Sequence, residues 1–185
     1  LLGAAGIICV IPIFFVAWRL MFPLSWFMWR AGSEEAGVRN YSKGQLVKIG
    51  HSAVPALINT LSTTSVDKQI TVIEALGEIK DDRAVEPLLE LLEHGKTSDV
   101  RGVSATALGQ MRNPKVVPAL VKALQDDDNV CSLAVDALGK MGEVKVLPAI
   151  IRESKNPARG VGAQDALVRA LKSFKAIDAL ADLMS

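Results

Sequence analysis

Glu74-Ala75-Leu76-Gly77-Glu78-Ile79 decides how this chain is read, because it returns as Thr106-Ala107-Leu108-Gly109-Gln110-Met111 and as Asp136-Ala137-Leu138-Gly139-Lys140-Met141. The three leucines lie 32 and 30 residues apart. A second element, Val54-Pro55-Ala56-Leu57-Ile58, recurs at Val85, Val117 and Leu147, with starts 31, 32 and 30 residues apart. In each central unit nine residues separate the leucine of the first element from the start of the second. A period near thirty that holds two elements in fixed register is the signature of a helical repeat array.

Each unit reads as two helices. Val117, Leu120, Val121 and Leu124 follow the i, i+3, i+4, i+7 spacing of one helix face. Pro55, Pro118 and Pro148 fall in the first turn of the second helix, where a missing N–H costs nothing, and Pro87 stands one place further in. Gly77, Gly109 and Gly139 sit late in the first helix, where they either allow close backbone packing or loosen the helix end. Polar linkers at Ser62 to Asp67, His94 to Asp99, Asp126 to Asn129 and Lys155 to Arg159 supply capping residues. One such pair leaves part of its apolar face open, so neighbours must stack on it. At the front, Glu35 to Ile49 reads as the first helix of the first pair. At the back, Asp165 to Phe174 and Ala176 to Met184 form a fifth pair, in which Lys172 replaces the glycine and Asp178 the proline.

Before the array lies an apolar leader. Leu1 to Trp18 carries no charge, and as a helix these eighteen residues span roughly 27 Å, close to the ~30 Å hydrocarbon core of a bilayer. Trp18, Arg19, Trp26, Trp29 and Arg30 follow, the aromatic and basic belt of a membrane interface. A cleaved signal would need a basic start and a small-residue cleavage site, which this stretch lacks. The leader therefore predicts a single-pass anchor over residues 1–22, an interfacial segment and linker over 23–33, and a repeat domain over 34–185. Arg19, Arg30, Arg39 and Lys43 all follow the span, and by the positive-inside tendency they place the repeats in the cytoplasm.

Without Arg19 and Arg30 the chain holds 19 basic against 20 acidic residues, a balance that argues against a nucleic-acid surface. Two cysteines, Cys9 in the leader and Cys131 in a repeat, make no disulfide framework.

The A-L-G-x-[IM] and V-P-A-L-[IV]-x-x-L patterns, over residues 35–185, resemble HEAT-like repeats of the type found in phycobilisome lyases. The resemblance implies an all-α fold, an α-solenoid of about five helix pairs, here preceded by one transmembrane helix. It says little about activity, since such arrays serve as scaffolds, chaperones and enzymes. A related repeat protein, deoxyhypusine hydroxylase, is implied to bind two irons through His-Glu pairs. His51 is followed by Ser52 and His94 by Gly95, so that site is missing, and no metal or other cofactor is expected.

Of the remaining candidates, Asp126-Asp127-Asp128 reads as a helix cap rather than a cation site, Cys131 as a buried small hydrophobe, and Tyr41 as packing. One row suggests a binding surface. Five residues past each second-helix start stand Asn59, Glu90, Lys122 and Arg152, expected along the concave side. Their varied charge suits a protein partner of mixed polarity as well as a solvated row. The sequence thus predicts a non-catalytic, membrane-anchored scaffold, an accessory or assembly subunit whose partners are subunits of a membrane complex and the lipid bilayer, with no nucleic acid and no small-molecule substrate. The alternative is a chaperone-like lyase or transferase that handles a tetrapyrrole or another prosthetic group. A DNA glycosylase of HEAT-like fold is disfavoured by the charge balance.

Overall fold

The computed structural model describes residues 36–62, 65–142 and 144–173. Among these residues there are nine α-helices. The first helices of successive repeats are α1 (Ala36–Ile49), α3 (Val66–Ile79), α5 (Ser98–Met111), α7 (Asp128–Met141) and α9 (Val161–Ser173). The second helices are α2 (Val54–Thr60), α4 (Val85–His94), α6 (Val117–Ala123) and α8 (Leu147–Ser154). Each first helix packs against the next, and α4, α6 and α8 pack in turn on α5, α7 and α9. The result, among the described residues, is two layers of helices whose main contacts run within a repeat and between neighbouring repeats, as expected of an α-solenoid.

The repeat register explains the core. Leu76, Leu108 and Leu138 from the first element, and Leu57, Leu88, Leu120 and Ile150 from the second, are all fully buried between the layers. Burial of such a side chain contributes about 1.5–3 kcal/mol, and one set recurs in every repeat. All four second helices begin at the residues that open the second element, with Pro55, Pro118 and Pro148 in the first turn. A short 3-10 turn joins the two helices of each pair, at Gly50–Ser52, Asp82–Ala84, Pro114–Val116 and Val144–Val146.

The glycines serve close packing. A Cβ on Gly77 would lie 2.8 Å from the Cα of Ala107, so α3 and α5 meet backbone to backbone. The left-handed residues that close the first helices come three places later, at Lys80, Arg112 and Gly142. The fifth pair starts earlier than its apolar spacing suggests: α9 begins at Val161 rather than Asp165, so that Val161, Gly162, Ala163 and Gln164 form its first turn. Tyr41, expected to pack, is about half exposed on α1.

The leader over 1–22, the segment over 23–33, the belt residues Trp18, Arg19, Trp26, Trp29 and Arg30, and the last helix expected from Ala176 lie outside the described residues. Among the described residues no helix is long and apolar enough to cross a membrane.

Candidate functional site

The second-helix layer does not close as tightly as the first. Between α4 and α6 lies a groove of about 730 Å³. Pro87 and Leu89 on α4 and Pro118 and Ala119 on α6 form its apolar floor, and the prolines and the alanine leave the facing positions short of bulk. Its walls have opposite charge. Glu86, Glu90 and Glu93 stand on α4, whereas Lys115 and Lys122 stand on the α6 side. These residues follow from register: 86, 90 and 93 share one helical face at i, i+4 and i+7. His94, the last residue of α4, closes one end.

Lys122 reaches across the groove, its Nζ 3.3 Å from Oε1 of Glu93. Lys122 is largely in solvent and Glu93 partly so, at 70% and 37% exposure, so the pair orients Lys122 more than it stabilises the fold. A smaller hollow of about 250 Å³ shares Glu93, Ala119 and Lys122 and continues the groove to Gln125 and Asp126. A trough of this size, with an apolar floor and charged rims, suits an elongated amphipathic molecule with groups of both polarities.

The four residues of the expected row are all exposed, one on each second helix. Glu90 and Lys122 face each other across the groove; Asn59 on α2 and Arg152 on α8 are not part of its lining. Arg152 instead pairs with its neighbour Glu153, Nε to Oε1 at 3.5 Å. The sequence singled out two of the groove's charges but missed its acidic wall, and it left His94 as an ordinary loop residue. The i, i+4, i+7 spacing of Glu86, Glu90 and Glu93 was the signal available.

Other polar clusters hold repeats together. Asp81 caps the 3-10 turn before α4 through the Arg83 N–H at 3.0 Å. It also accepts from Arg83 Nε and NH2 at 2.9 and 2.7 Å and pairs with His51 Nδ1 of the preceding repeat at 2.8 Å. The Arg83 guanidinium, above all, holds the Asp81 carboxyl far below the ordinary carboxylate range. Arg101 donates Nε and NH2 to Asp126 at 2.7 and 2.8 Å, and Asp127 caps α7 by accepting from the Val130 N–H at 3.0 Å. The acidic run is thus a cap and a repeat clamp. Cys131 is fully buried, and burial pushes its thiol pKa up, which suits a core residue rather than a nucleophile. Among the described residues no three His, Cys, Asp or Glu side chains group as metal ligands.

A family model described as HEAT repeats matches residues 24–105 and 96–172, so this chain belongs to the HEAT-repeat family. In sequence it is 28% identical over 117 residues to the bilin biosynthesis protein RpcF of Synechococcus sp. (strain WH8020), over 56% of this chain and 54% of RpcF. It therefore spans about half the length of that relative. In structure it is similar to a chain of the complex of CpcE and CpcF of phycocyanin lyase from Nostoc sp. PCC7120, at a TM-score of 0.62 and 22% identity, covering 86% of this chain and 68% of that one.

These likenesses correct the function expected from the sequence. A non-catalytic membrane scaffold is not what the chain resembles; its relatives are a bilin biosynthesis protein and a lyase subunit, and the exclusion of enzyme activity falls with it. The single-pass membrane location is withdrawn on the same ground. The difference has a physical origin: the thirty-residue period encodes how helices stack, and stacking is common to scaffolds and enzymes, so the period does not distinguish them.

Proposed function

We propose that this chain is a bilin-handling protein of the lyase type, which holds a linear tetrapyrrole in the α4–α6 groove for transfer to an acceptor protein. The sequence likeness to a bilin biosynthesis protein carries this reading. The chemistry of the groove supports it. A linear tetrapyrrole is long and largely apolar, and it bears pyrrole N–H donors and two propionate carboxylates. Pro87, Leu89, Pro118 and Ala119 offer it an apolar floor, Glu90 and Glu93 offer acceptors, and Lys115 and Lys122 offer cations. The groove volume lies in the ~300–1,000 Å³ range of small-molecule sites. By analogy with the two-subunit lyase complex, a second HEAT-repeat subunit is the expected protein partner.

The test is an absorbance titration of the full chain with biliverdin, beside a variant in which Ala119→Trp fills the groove floor. The expected result is a shifted bilin band that saturates with the wild-type chain and is lost in the variant. An unchanged spectrum with wild-type protein contradicts the proposal.

A further inference from the structure

Within the groove, Lys122 and Glu93 are charges that already engage each other. A lysine on four flexible carbons would normally sweep through solvent, but Glu93 on the opposite helix holds this one over the floor at 3.3 Å. Lys115 stands seven residues earlier, on the 3-10 turn Pro114–Val116 that leads into α6, and lines the same side of the groove. Lys115 and Lys122 are therefore two cations set along one side of a trough whose other side is acidic.

We infer that Lys122, with Lys115, selects for a substrate carrying free carboxylates, and that Glu93 holds Lys122 in place until a substrate carboxylate takes over its ammonium. This rests on the proposed bilin-handling function and adds what the groove demands of the substrate. The exchange replaces one carboxylate by another, so the ammonium is never left unpaired, and Glu93, already partly exposed, returns to water at little cost. A substrate with masked carboxylates offers no exchange: the Glu93–Lys122 bridge stays across the groove and obstructs it. The acidic wall adds to the selection, since an anion placed there without a cation beside it meets Glu86 and Glu90.

The experiment compares biliverdin with biliverdin dimethyl ester on the wild-type chain and on K122M, read by absorbance titration at low and high salt. The free acid should bind wild-type protein roughly tenfold more tightly than the ester, and the preference should shrink as salt screens the exposed charges. In K122M the acid should weaken and the ester, no longer facing the Glu93–Lys122 bridge, should bind at least as tightly as to wild type, so that the preference collapses while helix content is unchanged. Equal binding of acid and ester by the wild-type chain overturns the inference and leaves bilin handling intact. An acid preference that survives unchanged in K122M also overturns it. Binding of neither molecule removes the proposed function itself.

Discussion

Gly109 on α5 lies so close to Ala137 on α7 that a Cβ on the glycine would fall 2.5 Å from the alanine Cβ and 2.7 Å from its Cα. The obstacle is backbone, which cannot swing aside as a side-chain tip can. Substituting Gly109→Ala gains about 1 kcal/mol of helix propensity but forces α5 and α7 apart, at an overpacking cost of roughly 1–3 kcal/mol. A net loss of up to about 2 kcal/mol is expected from the two terms. Gly44 in α1 is the control, with nothing near its missing Cβ. There Gly44→Ala should stabilise by about 0.5–1 kcal/mol, and urea unfolding of both variants checks the opposite signs.

Two first helices, α3 and α5, end on left-handed residues that are not glycine, Lys80 at φ 57° and Arg112 at φ 53°, whereas α7 uses Gly142 at φ 73°. Non-glycine residues in that region cost roughly 1 kcal/mol, so Lys80→Gly and Arg112→Gly should each raise stability by about 0.5–1 kcal/mol. The sites lie in different repeats, and the double variant should show the sum. Thermal unfolding of the single and double variants measures it.

Asp81 predicts an acid dependence. Its folded carboxyl titrates below the ordinary value of 3.8. A depressed folded pKa contributes stability that is fully present above the unfolded value and is lost as pH falls through the folded one. In D81N that contribution is missing at every pH. The variant should unfold at lower urea than wild type at pH 7, and the two midpoints should converge as pH drops from about 4 towards 2. A constant gap across that range contradicts the assignment.

Arg159 and Glu153 form a buried pair, NH2 to Oε2 at 3.6 Å, with side chains only 9% and 7% exposed. Arg159 also donates to the backbone carbonyls of Leu124 and Asp126, and so ties the α8–α9 loop to the end of α6. Removing the guanidinium leaves buried Glu153 with only the exposed Arg152 as an ionic partner and strips donors from two carbonyls, so Arg159→Met should destabilise, by less than the roughly 3–5 kcal/mol of a buried charge left without a partner. Adding Glu153→Leu should recover part of the loss, and a double-mutant cycle by chemical denaturation reads the coupling.

The fold was legible because stacking repeats itself in sequence. Val54, Val85, Val117 and Leu147 each open a second helix, and Asp127 caps α7 as its place in the acidic run suggests. What was not legible comes from contacts between repeats. Whether Gly77 packs or loosens depends on Ala107, 30 residues away, and no local pattern reports that distance. The groove is similar: Glu90 and Lys122 were singled out by register, but their opposition across a gap floored by Pro87 and Ala119 appears only when α4 and α6 lie side by side. Function was least legible, since the repeat residues are spent on stacking and the chemistry rests on a few exposed charges.

The most direct test of bilin handling is chromophore attachment. A cysteine-containing phycobiliprotein apo-subunit is incubated with a free bilin, with and without this chain and a second HEAT-repeat lyase subunit, and then separated on a denaturing gel stained with zinc for bound bilin. Covalent bilin fluorescence on the apo-subunit that depends on this chain, and that falls when the groove is filled by Ala119→Trp, is the predicted result. Fluorescence no stronger than in the reaction lacking the chain would contradict it.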